Sequence, residues 1–255
     1  MGSQYLKKLP DSLCELQSLQ TLIFDECIKL QTLPKRLGNL SKLRQLRITT
    51  KQSDFPEKEI SKLTSLECLA VFFPHVESLF EGLELANLKA LFLYKCVCLK
   101  SLQLDAEHMP KLESLTIAWC PELELSRVLD HQNSKLRFKS LYLYSVPKLV
   151  TLPQWLRGYS YSLKSLIIVN CCNFEELPEW LPTMTSLNII VILSCPKLIS
   201  LPDGMRNLTK LERLIIKNCP ELCKRCKPHD GPYWPLMSHI KDVTIDDVNI
   251  MSKEQ

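Results

Sequence analysis

LNIIVILSCPKLISLP, residues 187–202, spaces its apolar anchors as L-x-x-I-x-I-x-x-C-x-x-L-x-x-L-P. The alternation at Ile190 and Ile192 marks a very short strand with one buried face, because successive side chains on a strand point to opposite sides. Cys195, Leu198 and Leu201 then carry the same buried side through a turn. A stretch of this size cannot cover its own apolar face, so it needs a neighbour of its own kind on each flank.

Those neighbours are present. The L-x-x-L-x-[ILVF] core begins at Leu19, Leu43, Leu66, Leu88, Leu112, Phe138, Leu163, Leu187, Leu211 and Ile240, at intervals of 22 to 29 residues. That period belongs to leucine-rich repeats among the common arrays. The expected fold is therefore α/β: a right-handed leucine-rich repeat solenoid with a concave parallel β-sheet and a convex side of loops and short helical turns. The convex half reads LPKRLGNLSKL at 33–43 and LPDGMRNLTKL at 201–211, with proline at the entry and apolar residues three apart. Such segments suit one or two turns of helix or 3₁₀ helix.

After each strand the repeat places Cys27, Cys96, Cys120, Cys171, Cys195 and Cys219 at one position. A small side chain with a weak donor fits a buried space beside carbonyls left open at the strand end. Lys51, Pro74 and Val146 interrupt this ladder, which predicts irregular second, third and sixth turns. Residues 126–132, SRVLDHQ, add a predicted short helix capped by Ser126.

Residues 1–18 read as a partial leading repeat of a truncated array, since Leu6, Leu9 and Pro10 are the tail of a repeat without its strand. Residues 19–218 form the solenoid, and 219–255 a C-terminal repeat and cap, centred on Trp234, with a polar tail. At 255 residues, 45% hydrophobic and a mean hydropathy of −0.03, the composition fits a globular chain. No apolar run approaches the roughly 18 residues needed to cross a bilayer. The start lacks a basic segment followed by an apolar stretch and a cleavage site, so a cytoplasmic location is expected, with the twelve cysteines reduced. A net charge of +4 spread along the chain does not point to nucleic acid.

No catalytic set emerges. His75, His108, His131, His229 and His239 fall in unrelated repeats without a partner motif, so the chain reads as no enzyme. Cys219, Cys223, Cys226, His229 and His239 offer thiol and imidazole groups, yet a zinc site of strong signature needs a second C-x-x-C pair, and packing explains the cluster better. Asn39-Leu40-Ser41 and Asn207-Leu208-Thr209 match the glycosylation sequon but also the repeat's own N-L-x-x-L phrase, which is the reading preferred here.

The strands' exposed positions are more informative. Side-chain alternation predicts one concave row of Ile23, Arg47, Ala70, Phe92, Thr116, Tyr142, Ile167, Val191, Ile215 and Thr244. The next row is Asp25, Thr49, Phe72, Tyr94, Ala118, Tyr144, Val169, Leu193, Lys217 and Asp246. Five aromatic rings, each about 200 Å² and half exposed, would leave on the order of 500 Å² of apolar surface open to a partner. The candidate protein-binding residues are Phe72, Phe92, Tyr94, Trp119, Tyr142, Tyr144, Ile167, Val169, Val191, Leu193 and Ile215. The competing reading is that these rings pack on one another and stiffen the sheet.

The recurring C-P-x-L-x-x-L-P phrase, as at Cys195-Pro196-Lys197-Leu198 through Leu201-Pro202, resembles the C-terminal leucine-rich repeat region of plant coiled-coil nucleotide-binding (CC-NB-LRR) disease resistance proteins. The ending is similar too: Cys219-Pro220, Leu222, Arg225-Cys226, Gly231, Trp234, His239-Ile240, Val243 and Ile245, with Tyr233 where that family usually has an acidic residue and Met237 for a branched aliphatic. The resemblance implies recognition: an autoinhibitory contact with the receptor's own nucleotide-binding domain, and sensing of a pathogen effector or of a guarded host protein altered by one. No G-x-x-x-x-G-K-[ST] loop occurs, so the family's ADP or ATP binding belongs to a domain outside these residues, and no cofactor is expected here. A substrate adaptor of a ubiquitin ligase is the alternative use of the same concave face.

Overall fold

The computed structural model of the chain describes residues 5–25, 27–52, 54–104, 107–127, 138–246 and the backbone of 248–251. It divides into two compact units, Met1–Leu136 and Arg137–Gln255. In both, each repeat is one coil: a strand of four or five residues, a turn, and a return segment, which carries a short helical turn in most coils and a two-residue strand in those that follow the strands Cys68–Phe72 and Ala90–Tyr94.

In the N-terminal unit the strands are β1 (Thr21–Phe24), β2 (Gln45–Thr49), β3 (Cys68–Phe72), β4 (Ser78–Leu79), β5 (Ala90–Tyr94), β6 (Ser101–Leu102) and β7 (Ser114–Ala118). β1, β2, β3, β5 and β7 pair in parallel, in that order, while β4 and β6 make a separate two-stranded sheet on the return side. That small sheet has no signature in the repeat pattern. In the C-terminal unit β8 (Ser140–Tyr144), β9 (Ser165–Val169), β10 (Ile189–Leu193), β11 (Arg213–Lys217) and β12 (Asp242–Ile245) are parallel neighbours. β13 (Val248–Met251), a strand the repeat pattern does not predict, pairs antiparallel with β12 and covers that open edge.

Leu187, Ile190 and Ile192 are each 0% exposed, and the corresponding anchors from the second repeat onward are no more than 4% exposed. In the first repeat Leu19 and Phe24 are only half-buried, because among the described residues β1 pairs with β2 alone. The return segments follow their prolines: Pro10, Pro153 and Pro202 hold extended φ angles near −65° to −70° and open 3₁₀ turns at Asp11–Glu15, Gln154–Tyr159 and Asp203–Asn207. A short helix, α1 (Glu57–Ile60), lies on the return segment of the second repeat. The 3₁₀ turn Leu125–Arg127 starts where the Ser126 helix is predicted, and the rest of that predicted helix lies outside the described residues.

The cysteine ladder has a repeated geometry. The thiols of Cys27, Cys96, Cys120, Cys171, Cys195 and Cys219 each lie 3.4 to 3.8 Å from the carbonyl two residues earlier, at the strand end they follow. The residue before the thiol turns the chain with a positive φ, as at Lys95, Trp119, Asn170, Ser194 and Asn218. Ser145 does the same at 50° and Val146 is fully buried, so the sixth turn is regular, contrary to expectation. Valine fills the space, which makes volume the ladder's first requirement. The second turn does differ: Thr50, one residue early, is 1% exposed and donates its hydroxyl to Leu30 O at 2.9 Å. In the third, Phe73 is buried directly after β3.

The C-terminal unit ends on α2 (Pro220–Arg225), α3 (Trp234–Met237) and the β12–β13 pair. The buried centre of this cap is Met237, with Leu222 and Cys226, all at 0% exposure, rather than the predicted Trp234. Trp234 is half-buried and packs its ring against His229 at 5.1 Å, since an indole can shield the cap's rim while a thioether fits its irregular interior.

Candidate protein-binding surface

Strand register places the exposed residues in the rows that alternation predicts. In the N-terminal unit Ile23, Arg47, Ala70, Phe92 and Thr116 are successive partners, and Thr49 faces Phe72. In the C-terminal unit Tyr142, Ile167, Val191, Ile215 and Thr244 form one row, and Tyr144, Val169, Leu193 and Lys217 the next. Because parallel strands stand about 4.8 Å apart, each row is a ladder of side chains in mutual contact. Thr49, Ala118 and Thr244 are buried under their larger neighbours, so the rows are uneven surfaces.

On the N-terminal unit the candidates Phe72, Tyr94 and Trp119 come together, with Phe92 in the adjacent row. The Phe72 and Tyr94 rings lie 6.1 Å apart, and Tyr94 meets Trp119 edge to face at 5.0 Å and 74°. In that contact Tyr94 and Trp119 are still 41% and 45% exposed, which is large for aromatic side chains already packed together, and Phe92 in the adjacent row is 36% exposed. Trp119 also sits at φ 54°, a left-handed conformation costly for a bulky residue, at a position filled elsewhere by Lys, Ser and Asn. No core packing compels a tryptophan there.

Between these rings and β1 lies a hollow of about 340 Å³. Its floor is low because Thr49 and Ala70 are small, and its walls are Ile28, Arg47, Phe72 and Tyr94. Arg47 Nη1 pairs with Asp25 Oδ2 at 3.2 Å, while Lys95 Nζ lies over the Tyr94 ring, 5.1 Å from its centroid. Asp25, Arg47 and Lys95 are absent from the predicted set. Asp25 and Arg47 stand in the predicted rows and Lys95 directly follows Tyr94, but nothing in the spacing shows that small residues beside them open a cavity.

On the C-terminal unit Tyr142, Tyr144, Ile167, Val169, Val191, Leu193 and Ile215 are all half-buried, a smoother apolar face flanked by Lys217. Burial, followed by the neighbouring Tyr142 phenol, pushes the Tyr144 hydroxyl above the usual phenol range.

The cysteine and histidine cluster of the cap does not converge. Cys219 donates to Lys217 O, Cys223 to Asp246 Oδ1 at 3.3 Å, and burial pushes Cys223 and Cys226 up to about 12. His229 is taken up by Trp234. Among the described residues no three of His, Cys, Asp or Glu are grouped as metal ligands. No helix of the described residues is long and apolar enough to cross a membrane. Asn39 and Asn207 are exposed while Leu40 and Leu208 between each sequon's ends are fully buried, as the repeat phrase requires.

A family model described as "Leucine-rich repeat region" matches residues 1–171. No curated protein matches the sequence. Among solved structures, a Listeria monocytogenes internalin is 18% identical with a TM-score of 0.50, over 94% of this chain and 76% of its own. The Drosophila Toll–Spatzle complex gives 16% identity and a TM-score of 0.55, over 94% of this chain and 39% of the other. A Leptospira interrogans leucine-rich repeat protein gives 18% and 0.48, over 97% and 71%. At such identities the likeness is one of fold.

Proposed function

Since the chain belongs to the leucine-rich repeat region family, and is a protein-interaction module of that kind, we propose that it serves a plant CC-NB-LRR immune receptor, recognising proteins on the strand faces of its two units. There it restrains the receptor's nucleotide-binding domain and senses a pathogen effector or an effector-modified host protein, in the cytoplasm and without catalysis or a cofactor of its own. The observation that carries the recognition role is the aromatic face: rings that stay exposed after packing on each other are typical interface anchors. The C-P-x-L-x-x-L-P phrase and the Cys219-to-Ile245 ending support the receptor assignment. Partner binding would act by differential affinity for the receptor's resting and open states.

The test is proximity labelling in plant cells with the chain fused to a biotin ligase, beside a Tyr142→Ala, Tyr144→Ala variant. The reading predicts that a receptor nucleotide-binding domain is labelled by the wild type and falls at least about fivefold in the variant, at an unchanged melting temperature. Identical labelling by both proteins would remove the strand face of the C-terminal unit from recognition. Labelling of ubiquitin-ligase subunits instead would favour the adaptor role.

A further inference from the structure

We infer that the hollow between Arg47 and Tyr94 on the N-terminal unit docks an extended segment of a partner protein that presents a large apolar side chain beside an Asp or Glu. The inference rests on the strand faces being recognition surfaces and specifies what one of them takes.

The shape argues for a side chain. About 340 Å³ lies at the low end of ligand pockets, roughly 300 to 1,000 Å³, and suits a single anchor rather than a cofactor. Ala70 opens it between Arg47 and Phe92, its two partners in the row. The Phe72 and Tyr94 rings give one wall and Ile28 contributes apolar surface, so an inserted aromatic or aliphatic group would exchange water for carbon on several sides. Nearby, Trp119 holds a left-handed backbone while remaining 45% exposed, the kind of strain that persists where recognition requires it.

The charges select the neighbour of that side chain. The lining carries two cations and one carboxylate, and the carboxylate of Asp25 is already paired with Arg47. Lys95 is exposed and rests over the Tyr94 ring, with no carboxylate partner among the described residues. A partner carboxylate placed next to its apolar anchor meets this ammonium across a partly dehydrated surface, where a charge pair is worth more than in open water. A basic segment would face like charge there, and this is a source of specificity.

The inference can be tested with two capped pentapeptides, acetyl-Gly-Asp-Trp-Glu-Gly-amide and acetyl-Gly-Lys-Trp-Lys-Gly-amide, titrated into the whole chain and followed by ¹H–¹⁵N shifts. The acidic peptide should move the amides of Arg47, Thr49, Phe72 and Tyr94 and bind at least about tenfold more tightly than the basic one. Ala70→Trp, which fills the hollow, should abolish this binding, and Lys95→Glu should weaken it by about fivefold or more. Equal binding of the two peptides, shifts elsewhere, no shifts, or binding retained in both variants would overturn the inference. If Ala70→Trp does not fold, Lys95→Glu decides, since that side chain is exposed. A failed titration alongside lost labelling in the Tyr142→Ala, Tyr144→Ala variant would discard the hollow alone. Peptide binding with unchanged labelling would instead count against the receptor role of the other unit.

Discussion

The carboxylate of Asp246 accepts the backbone N–H of Asn218 at 3.0 Å, a place taken in earlier turns by a main-chain carbonyl. Ser194 and Asn170 donate the same N–H to the carbonyls of Lys217 and Leu193, each at 2.9 Å. Asp246 also takes the thiol hydrogen of Cys223 at 3.3 Å. One side chain thus finishes the ladder of the C-terminal unit. Replacing it with alanine should cost about 1.5 to 3 kcal/mol, the range for a lost hydrogen bond to a charged group, whereas Asp246→Asn keeps an acceptor and tolerates the φ of 50°. Urea denaturation of both variants checks this, and equal stability of the two would remove the role of the carboxylate oxygen.

Thr50 shows how a turn survives without its cysteine. Its buried hydroxyl donates to Leu30 O and accepts Gln52 N–H at 3.1 Å. Thr50→Val keeps the volume and removes both bonds, so it should cost about 1 to 2 kcal/mol. Val146, by contrast, is the native residue of a regular turn, and Cys171→Val should cost less than about 1.5 kcal/mol. Comparing the two midpoints separates hydrogen bonding from packing in the ladder.

Trp119 invites a substitution by what other turns carry at its position. Trp119→Asn relieves left-handed strain of about 1 to 2 kcal/mol and gives up an edge contact with Tyr94 of about 0.5 to 1.5 kcal/mol. The two nearly cancel, so the melting temperature should hold while partner binding falls. A loss above about 2 kcal/mol would make the tryptophan a structural residue.

The buried thiols make stability fall in alkali. Burial lifts Cys171 from 9.0 to about 11, and Cys223 and Cys226 to about 12. Above about pH 9 the unfolded chain releases these protons while the folded chain keeps them, so the unfolded state binds fewer. The contribution is complete below the unfolded value and is lost as pH rises, by up to about 1.4 kcal/mol per pH unit for each thiol. Urea midpoints should be level from about pH 7 to 8.5 and drop by about pH 10.5, less steeply in Cys171→Val.

Much of the fold was legible because each coil repeats one covalent pattern. Leu187, Ile190 and Ile192 are placed by alternation and period alone, and the same two rules set which residues share the exposed rows, from Tyr142 to Thr244 and from Tyr144 to Lys217. The departures come where the repeat stops deciding. The β12–β13 pair closes an edge with four residues too short to show a period, and Met237 outcompetes Trp234 for the centre of the cap because shape complementarity, absent from a residue list, chooses between two apolar side chains.

The sequence by itself determined the coil, its buried leucines, the cysteine position and the ring-bearing rows, since strand alternation and a fixed repeat length are local properties of the chain. Only the tertiary structure decided that Thr49 and Ala70 leave a hollow under Phe72 and Tyr94, that Asp25 occupies Arg47, and that Lys95 lies over an aromatic ring. These depend on the difference in side-chain height between coils more than twenty residues apart, and that difference acts only when parallel strands bring them within a few ångströms.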